Sequence, residues 1–187
     1  MEIFIEPVEA RPRLFVFGAG HVAAATAPLA RQVGFDVTVI DDREELNTEA
    51  RFPHCARDLR DPLAMLKRTT LDEQDWLLVV THDHALDEQI LELSLAQKAR
   101  YIGVVGSRRK VFRLIQRLSQ KRGPLALERV YAPVGLDLGA IGPGEIAVSI
   151  VAELVALRRG KSAAHLRAVS DEASRSATFS VEKLVER

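Results

Sequence analysis

Short, uninterrupted apolar runs separated by helix-like sequence constrain this chain more than any other feature. Leu14-Phe15-Val16-Phe17, Val37-Thr38-Val39-Ile40, Trp76-Leu77-Leu78-Val79-Val80 and Tyr101-Ile102-Gly103-Val104-Val105 show almost no polar alternation. A strand with one wet face alternates apolar and polar residues, so strands without that alternation are buried on both faces. Such strands belong in a parallel sheet covered by helices on either side. Right-handed crossovers then wind the chain onto both faces. The expected fold is α/β, a doubly wound, mostly parallel sheet in a three-layer α/β/α sandwich.

The intervening segments supply the helices. Residues 22–33 are alanine-rich and closed by Gly34, a helix with a glycine at its C-terminal end whose small side chains let it lie close to the sheet. Pro28 should kink that helix or restrict it to a short run. Asp61 as N-cap and Pro62 at the first helical position open a helix to about Arg68. Residues 85–98 carry an apolar stripe of Leu86, Ile90, Leu93 and Leu95. Ser107 caps a helix that Gly123-Pro124 ends. Residues 51–59 read as a short strand or a loop, and residues 129–133 as an edge strand. A glycine-rich loop, residues 134–144, leads into an apolar helix over 145–159, whose Pro143, Glu145, Arg158 and Arg159 suit the helix dipole.

The sharpest motif is Gly18-Ala19-Gly20-His21-Val22-Ala23, a G-x-G-x-x-A run that leaves a strand and opens a helix. Gly18 permits the tight turn, Gly20 lets the backbone approach a phosphate, and Ala23 allows close helix–strand packing. Free N–H groups and the helix dipole favour an anion there. Asp41 ends the next strand at close to the about 20-residue spacing of a ribose-binding acid. Asp41 and Asp42 join the candidate cofactor site; Asp41 favours NAD over NADP, a preference that Asp42 and Arg43 beside it weaken, since Arg43 can accept a 2′-phosphate. The fold is therefore Rossmann-like. Residues 1–160 form a nucleotide- or cofactor-binding domain, and the polar residues 161–187 a tail or surface helix.

Other loops at the carboxyl ends of the strands add to this site, since ligands of doubly wound sheets bind at that edge. Gly106-Ser107-Arg108-Arg109-Lys110 places cations in the first turn of a helix, where a bound anion would offset the unfavourable dipole. Thr81-His82-Asp83-His84, with Asp87 behind it, offers hydrogen-bonding groups to a ligand; His82, His84 and Asp87 also have the chemistry of metal ligands, but no metal site is assigned. Asp137 lies in the glycine-rich loop, whose backbone can touch a ligand or a partner. Cys55 reads as an inert buried residue.

Composition excludes several classes. Twenty-six basic side chains balance 26 acidic ones, which argues against a nucleic-acid or anionic-membrane protein. One cysteine cannot form an intramolecular disulfide. The longest uncharged run, Leu14 to Ala30, contains two glycines and a proline and falls short of the about 20 apolar residues that span a bilayer. The N-terminal residues lack a basic n-region, so the expected location is the cytoplasm. No Tyr-x-x-x-Lys pair follows Tyr101 or Tyr131, no G-x-S-x-G elbow or P-loop appears, and the residues after 160 are too few for a substrate domain. These absences leave several classes open, and no catalytic residues are assigned. The alternatives are an NAD(P)-dependent oxidoreductase, a nucleotide-sensing module and a metal-dependent hydrolase built on His82, His84 and Asp87.

Taken in order, FGAGHVA, VIDDRE, NTEARFP, VVTHDHALDEQIL, YIGVVGSRRK and GLDLGAIGPGEIAVSIVAELVALRRG resemble the C-terminal Rossmann domain of XdhC/CoxI-type proteins. The resemblance covers about Arg13 to Lys161. It implies an accessory factor for maturation of a xanthine dehydrogenase-type molybdoenzyme. Such a factor binds molybdenum cofactor (molybdopterin, a pyranopterin phosphate with a dithiolene-bound metal) or a nucleotide such as NAD(P). On that resemblance, the helix N-termini at Gly20 and Ser107, with Arg108 and Arg109, hold the phosphate. His21, His82, His84 and Asp137 meet the pterin edge, and Asp41 contacts the ribose of an appended nucleotide. Gly142-Pro143-Gly144-Glu145 stands where the family more often has a Thr-Pro-Glu-Glu-like run. The partners implied are a molybdenum-containing dehydrogenase and a separate protein supplying the family's usual N-terminal domain; a homodimer is expected on fold-level analogy.

Overall fold

Successive side chains of a strand leave opposite faces of a sheet, and here both faces are core. A computed structural model describes residues 11–164; residues 1–10 and most of the expected tail, 165–187, lie outside the described residues. The elements run β1 (Arg13–Phe17), α1 (His21–Gln32), β2 (Asp36–Ile40), β3 (Ala56–Asp58), α2 (Pro62–Arg68), β4 (Asp75–Val79), α3 (His84–Leu95), β5 (Tyr101–Val104), α4 (Arg108–Arg122), β6 (Val130–Tyr131) and α5 (Pro143–Arg158). All pairings are parallel, in the order β3-β2-β1-β4-β5-β6. The chain therefore winds outward from β1 in one direction and from β4 in the other. The expected doubly wound Rossmann-like sandwich is what forms.

Leu14 and Val16 of β1, with Trp76 and Leu78 of β4, face a core completed by Ala23, Ala27 and Ala30 of α1 and by Ile150 and Leu154 of α5. Phe17, Leu77 and Val79 face the other way, onto Leu66 of α2, Ile90 and Leu91 of α3, and Leu114 and Leu118 of α4. Helices α1 and α5 thus cover one face, and α2, α3 and α4 the other. The fully buried alanines are the reason α1 sits so close to the sheet. That packing also carries α1 past Pro28 to Gln32. The proline removes one hydrogen bond without shortening the helix. Phe35, Trp76, Tyr101 and Tyr131 form a row across the strands at centroid spacings of 5.3, 5.2 and 4.9 Å.

Two other boundaries depart from expectation. Residues 51–59 do contain a strand, but only Ala56–Asp58 pair with β2. Helix α3 ends at Leu95 rather than near Lys98. Beyond it Gln97 turns toward α2, accepting from the Leu71 N–H at 2.7 Å and donating to the Leu66 carbonyl at 3.2 Å.

Each loop leaving a strand is tied to the strand beside it. The Gly18 N–H donates to the Ile40 carbonyl, Val80 to Phe17, Val105 to Val79 and Val134 to Val104, at 2.9–3.0 Å. This row of bonds brings the strand ends to one rim. Gly18 is the tightest point, with φ +108° and its missing Cβ position 2.7 Å from the Val80 carbonyl oxygen. Gly20 differs: its φ is −72°, and a Cβ there would meet nothing within 4 Å. Gly18→Ala is therefore expected to destabilise the fold by about 2–3 kcal/mol, whereas Gly20→Ala should cost no more than about 1 kcal/mol. Urea unfolding of both variants checks the contrast.

Candidate functional site

The glycine turn is held from beneath by Asp41, which is 3% exposed. Its Oδ2 accepts from the Ala19 N–H at 2.7 Å and from the Arg43 guanidinium at 2.6 Å; its Oδ1 accepts from the Arg43 Nε at 2.8 Å and the Arg43 backbone N–H at 3.0 Å. Burial alone would raise this carboxyl, but these hydrogen bonds and the Arg43 charge outweigh it and hold it below its usual value. Both oxygens are thus engaged within the protein. The expected ribose acid is a strut in the described structure, and Arg43 is the group that faces outward.

Above the turn, α1 begins at His21 with no side chain capping it. The first N–H groups of a helix lack intrahelical partners, and these open onto a cleft of about 860 Å³. Gly20, His21 and Val22 form one wall, with Val80, Thr81 and His82 from the end of β4 opposite. Arg43 and Arg51 bring cations to its edge, and Val105 and Pro143 complete it. This is the crevice between β1 and β4, where the strand order reverses and ligands of such sheets bind.

Two smaller cavities adjoin it through Val105. One, of about 490 Å³, lies between the loop after β5 and the glycine-rich loop, and is lined by Gly106, Ser107, Arg108 and Asp137. There Arg108 donates to Asp137 at 3.0 Å with both side chains well exposed. Ser107 accepts weakly from the Lys110 N–H, at 3.4 Å, as the α4 cap. The other, of about 230 Å³, lies between α3 and α4 and is lined by His84, Asp87, Gly106 and Lys110.

The rim therefore gathers most of the candidate residues into adjoining spaces. Gly20, His21 and His82 share the large cleft, Gly106, Ser107, Arg108 and Asp137 the second cavity, and His84 the third. Gly18 and Asp41 lie beneath the turn, while Asp42 and Arg109 are exposed and line none of the three. His82 and His84 part company at the α3 N-terminus. Among the described residues no three histidine, cysteine or acidic side chains gather as a metal-ligand set. Cys55 is buried, and burial pushes its thiol up. Sequence reasoning missed Arg51, whose place depends on the loop between β2 and β3, which the Arg31 side chain of α1 ties down by donating to the His54 carbonyl. It also missed Arg113 at the mouth of the α3–α4 cavity.

Fold and cleft together define a Rossmann-type α/β domain with an open crevice where the strand order reverses. Residues 14–154 match the XdhC Rossmann domain model, and the chain belongs to that family. It is 39% identical over 158 residues to a Bacillus subtilis (strain 168) protein named as a probable xanthine dehydrogenase subunit, covering 84% of this chain and 46% of that protein. It is 35% identical over 162 residues to the Escherichia coli (strain K12) protein YqeB, covering 84% of this chain and 29% of that one. A Bacillus halodurans crystal structure described as a xanthine dehydrogenase superposes with a TM-score of 0.72 at 34% identity, over 88% of this chain and 46% of that one. The chain spans less than half the length of these relatives. None of its described helices is long and apolar enough to cross a membrane.

Asp41→Asn removes the charge that holds Ala19 and Arg43 and should cost about 2–3 kcal/mol at neutral pH. Because the folded carboxyl titrates below its ordinary value of 3.8, its stabilisation is complete above that value and is lost as pH falls through the folded pKa. The gap in urea midpoint between wild type and variant should stay constant down to about pH 5 and shrink below about pH 4.

Proposed function

We propose that this chain binds molybdenum cofactor, or a nucleotide of similar charge, at the rim and supports maturation of a xanthine dehydrogenase-type molybdoenzyme without turning over a substrate. The observation that carries the reading is Gly20. Its backbone angle is open to any residue and its missing side chain leaves empty space, so nothing within the chain requires a glycine there. A bare backbone beside uncapped helix N–H groups is what close approach of a phosphate requires. Arg43 and Arg51 add charge, and His21 and His82 add hydrogen-bonding edges to the same cleft.

Within this reading the N-terminal turn of α1 and the two arginines hold the phosphate. The metal–dithiolene chemistry belongs to the cofactor when bound; the chain's own groups bind, orient and shield it. A molybdenum-containing dehydrogenase is the recipient. Leu138 and Ile141, 57% and 88% exposed beside the second cavity, give that side an apolar surface of the kind partners cover. A dinucleotide reading has the strand order and the glycine turn in its favour, but the Asp41 oxygens are already engaged and leave Arg43 to meet a ribose or its phosphate.

Protein purified from cells that make the cofactor should release a fluorescent, phosphorus-containing pterin on denaturation. Gly20→Ala and Arg51→Ala should each retain less than about a tenth as much while unfolding cooperatively. A chain that carries no pterin, and whose Tm rises with NAD⁺ or NADP⁺ alone, would overturn the proposal.

A further inference from the structure

The cavity between α3 and α4 sets one buried carboxylate among apolar walls and cationic side chains. Its walls are apolar, from Val104, Val111 and Leu114. Asp87 lines it while only 5% exposed. The carboxylate accepts from the Thr81 hydroxyl at 2.7 Å and has His84 Nδ1 at 3.5 Å, with no arginine or lysine paired to it among the described residues. Its neighbour Glu88 shows the alternative, held by Arg117 at 2.7 Å and Lys121 at 3.2 Å. A buried carboxylate so lightly compensated costs stability, and burial pushes Asp87 up from its ordinary value against the pull of Thr81 and His84. At the mouth stand Lys110 and Arg113, for which no side-chain hydrogen bond or ion pair is found among the described residues.

These groups narrow what can enter. Lys110 and Arg113 disfavour a cationic amine or guanidinium, and Asp87 disfavours a simple anion. The occupant must be neutral where it meets Asp87, offering N–H donors to the carboxylate's remaining lone pairs and an acceptor to the cations. Apolar walls favour a flat ring. A cavity of about 150 Å³ accepts benzene, so about 230 Å³ suits a bicyclic heterocycle. We propose that this pocket recognises the 2-amino-4-oxopyrimidine edge shared by guanine and pterins, with Asp87 pairing the 2-amino and ring N–H groups and Lys110 and Arg113 meeting the oxo side. The assignment deepens the reading of the adjoining cleft and gives that ligand's ring a place separate from its phosphate.

Phosphate-free probes separate the two claims, because the cleft is tested through phosphate and Gly20, and this pocket through the ring alone. Guanosine and neopterin are titrated into the chain by calorimetry, beside inosine and a lumazine, which lack the 2-amino group. Binding of guanosine, of neopterin or of both, each at least tenfold tighter than its desamino counterpart, supports the assignment and tells which ring the site takes. Asp87→Asn keeps an acceptor for Thr81, should leave Tm unchanged or higher, and should abolish the preference. Val111→Phe fills the pocket and should remove ring binding while leaving pyrophosphate binding at the start of α1 unchanged. Equal affinity for the desamino compounds, preference surviving Asp87→Asn, or no binding of either ring at millimolar concentration would overturn it.

Discussion

The carboxylate of Asp41 fixes the geometry from which everything at the rim follows. It joins the turn after β1, through the Ala19 N–H, to the loop after β2, through Arg43. Its own backbone N–H donates to Asp58 of β3, and its carbonyl accepts from the Asn47 amide at 3.2 Å. One residue thus ties together three strand ends. The consequence is directional. With Ala19 drawn down onto Asp41, the next N–H groups, at the start of α1, are turned toward the cleft. With Arg43 anchored from below, its charge sits at the cleft's edge rather than sweeping through solvent.

The rim combines places where the chain is over-determined with places where it is not. Gly18 has no freedom, since the Val80 carbonyl occupies the space of any side chain. Gly135 is similarly confined, with φ +98° and the Ser149 hydroxyl where its Cβ would stand. Gly20 and Asp87 are under-determined by the fold: one omits a side chain that would fit, and the other buries a charge with no arginine or lysine against it among the described residues. Rigid support surrounding groups that packing does not require is the pattern expected where a scaffold holds a binding site.

Much of the architecture was legible because both-faces-buried strands leave a plain mark in sequence, and the glycine turn was placed by its position between strand and helix. β3 was harder to read. Ala56 and Arg57 are exposed, so no apolar run marks it, and its pairing is dictated by β2. The side-chain directions were not legible at all. Asp41 has the spacing of a ribose-binding acid, yet whether its oxygens turn outward or under the turn depends on Arg43, two residues on. His82 and His84 are close in the chain but separated by the start of α3, which sends them into different cavities. Asp87 carried one usable signal: it is an acid on the buried face of α3, one turn before Ile90 and Leu91.

The central claim is that the first amides of α1 grip a negatively charged group. Backbone amide NMR during titration with pyrophosphate tests it without reference to the rest of the ligand. The account requires the largest shifts at His21, Val22 and Ala23, with Arg43 and Val105 following. Shifts confined to Ser107–Lys110, or spread evenly over exposed lysines and arginines, would contradict it.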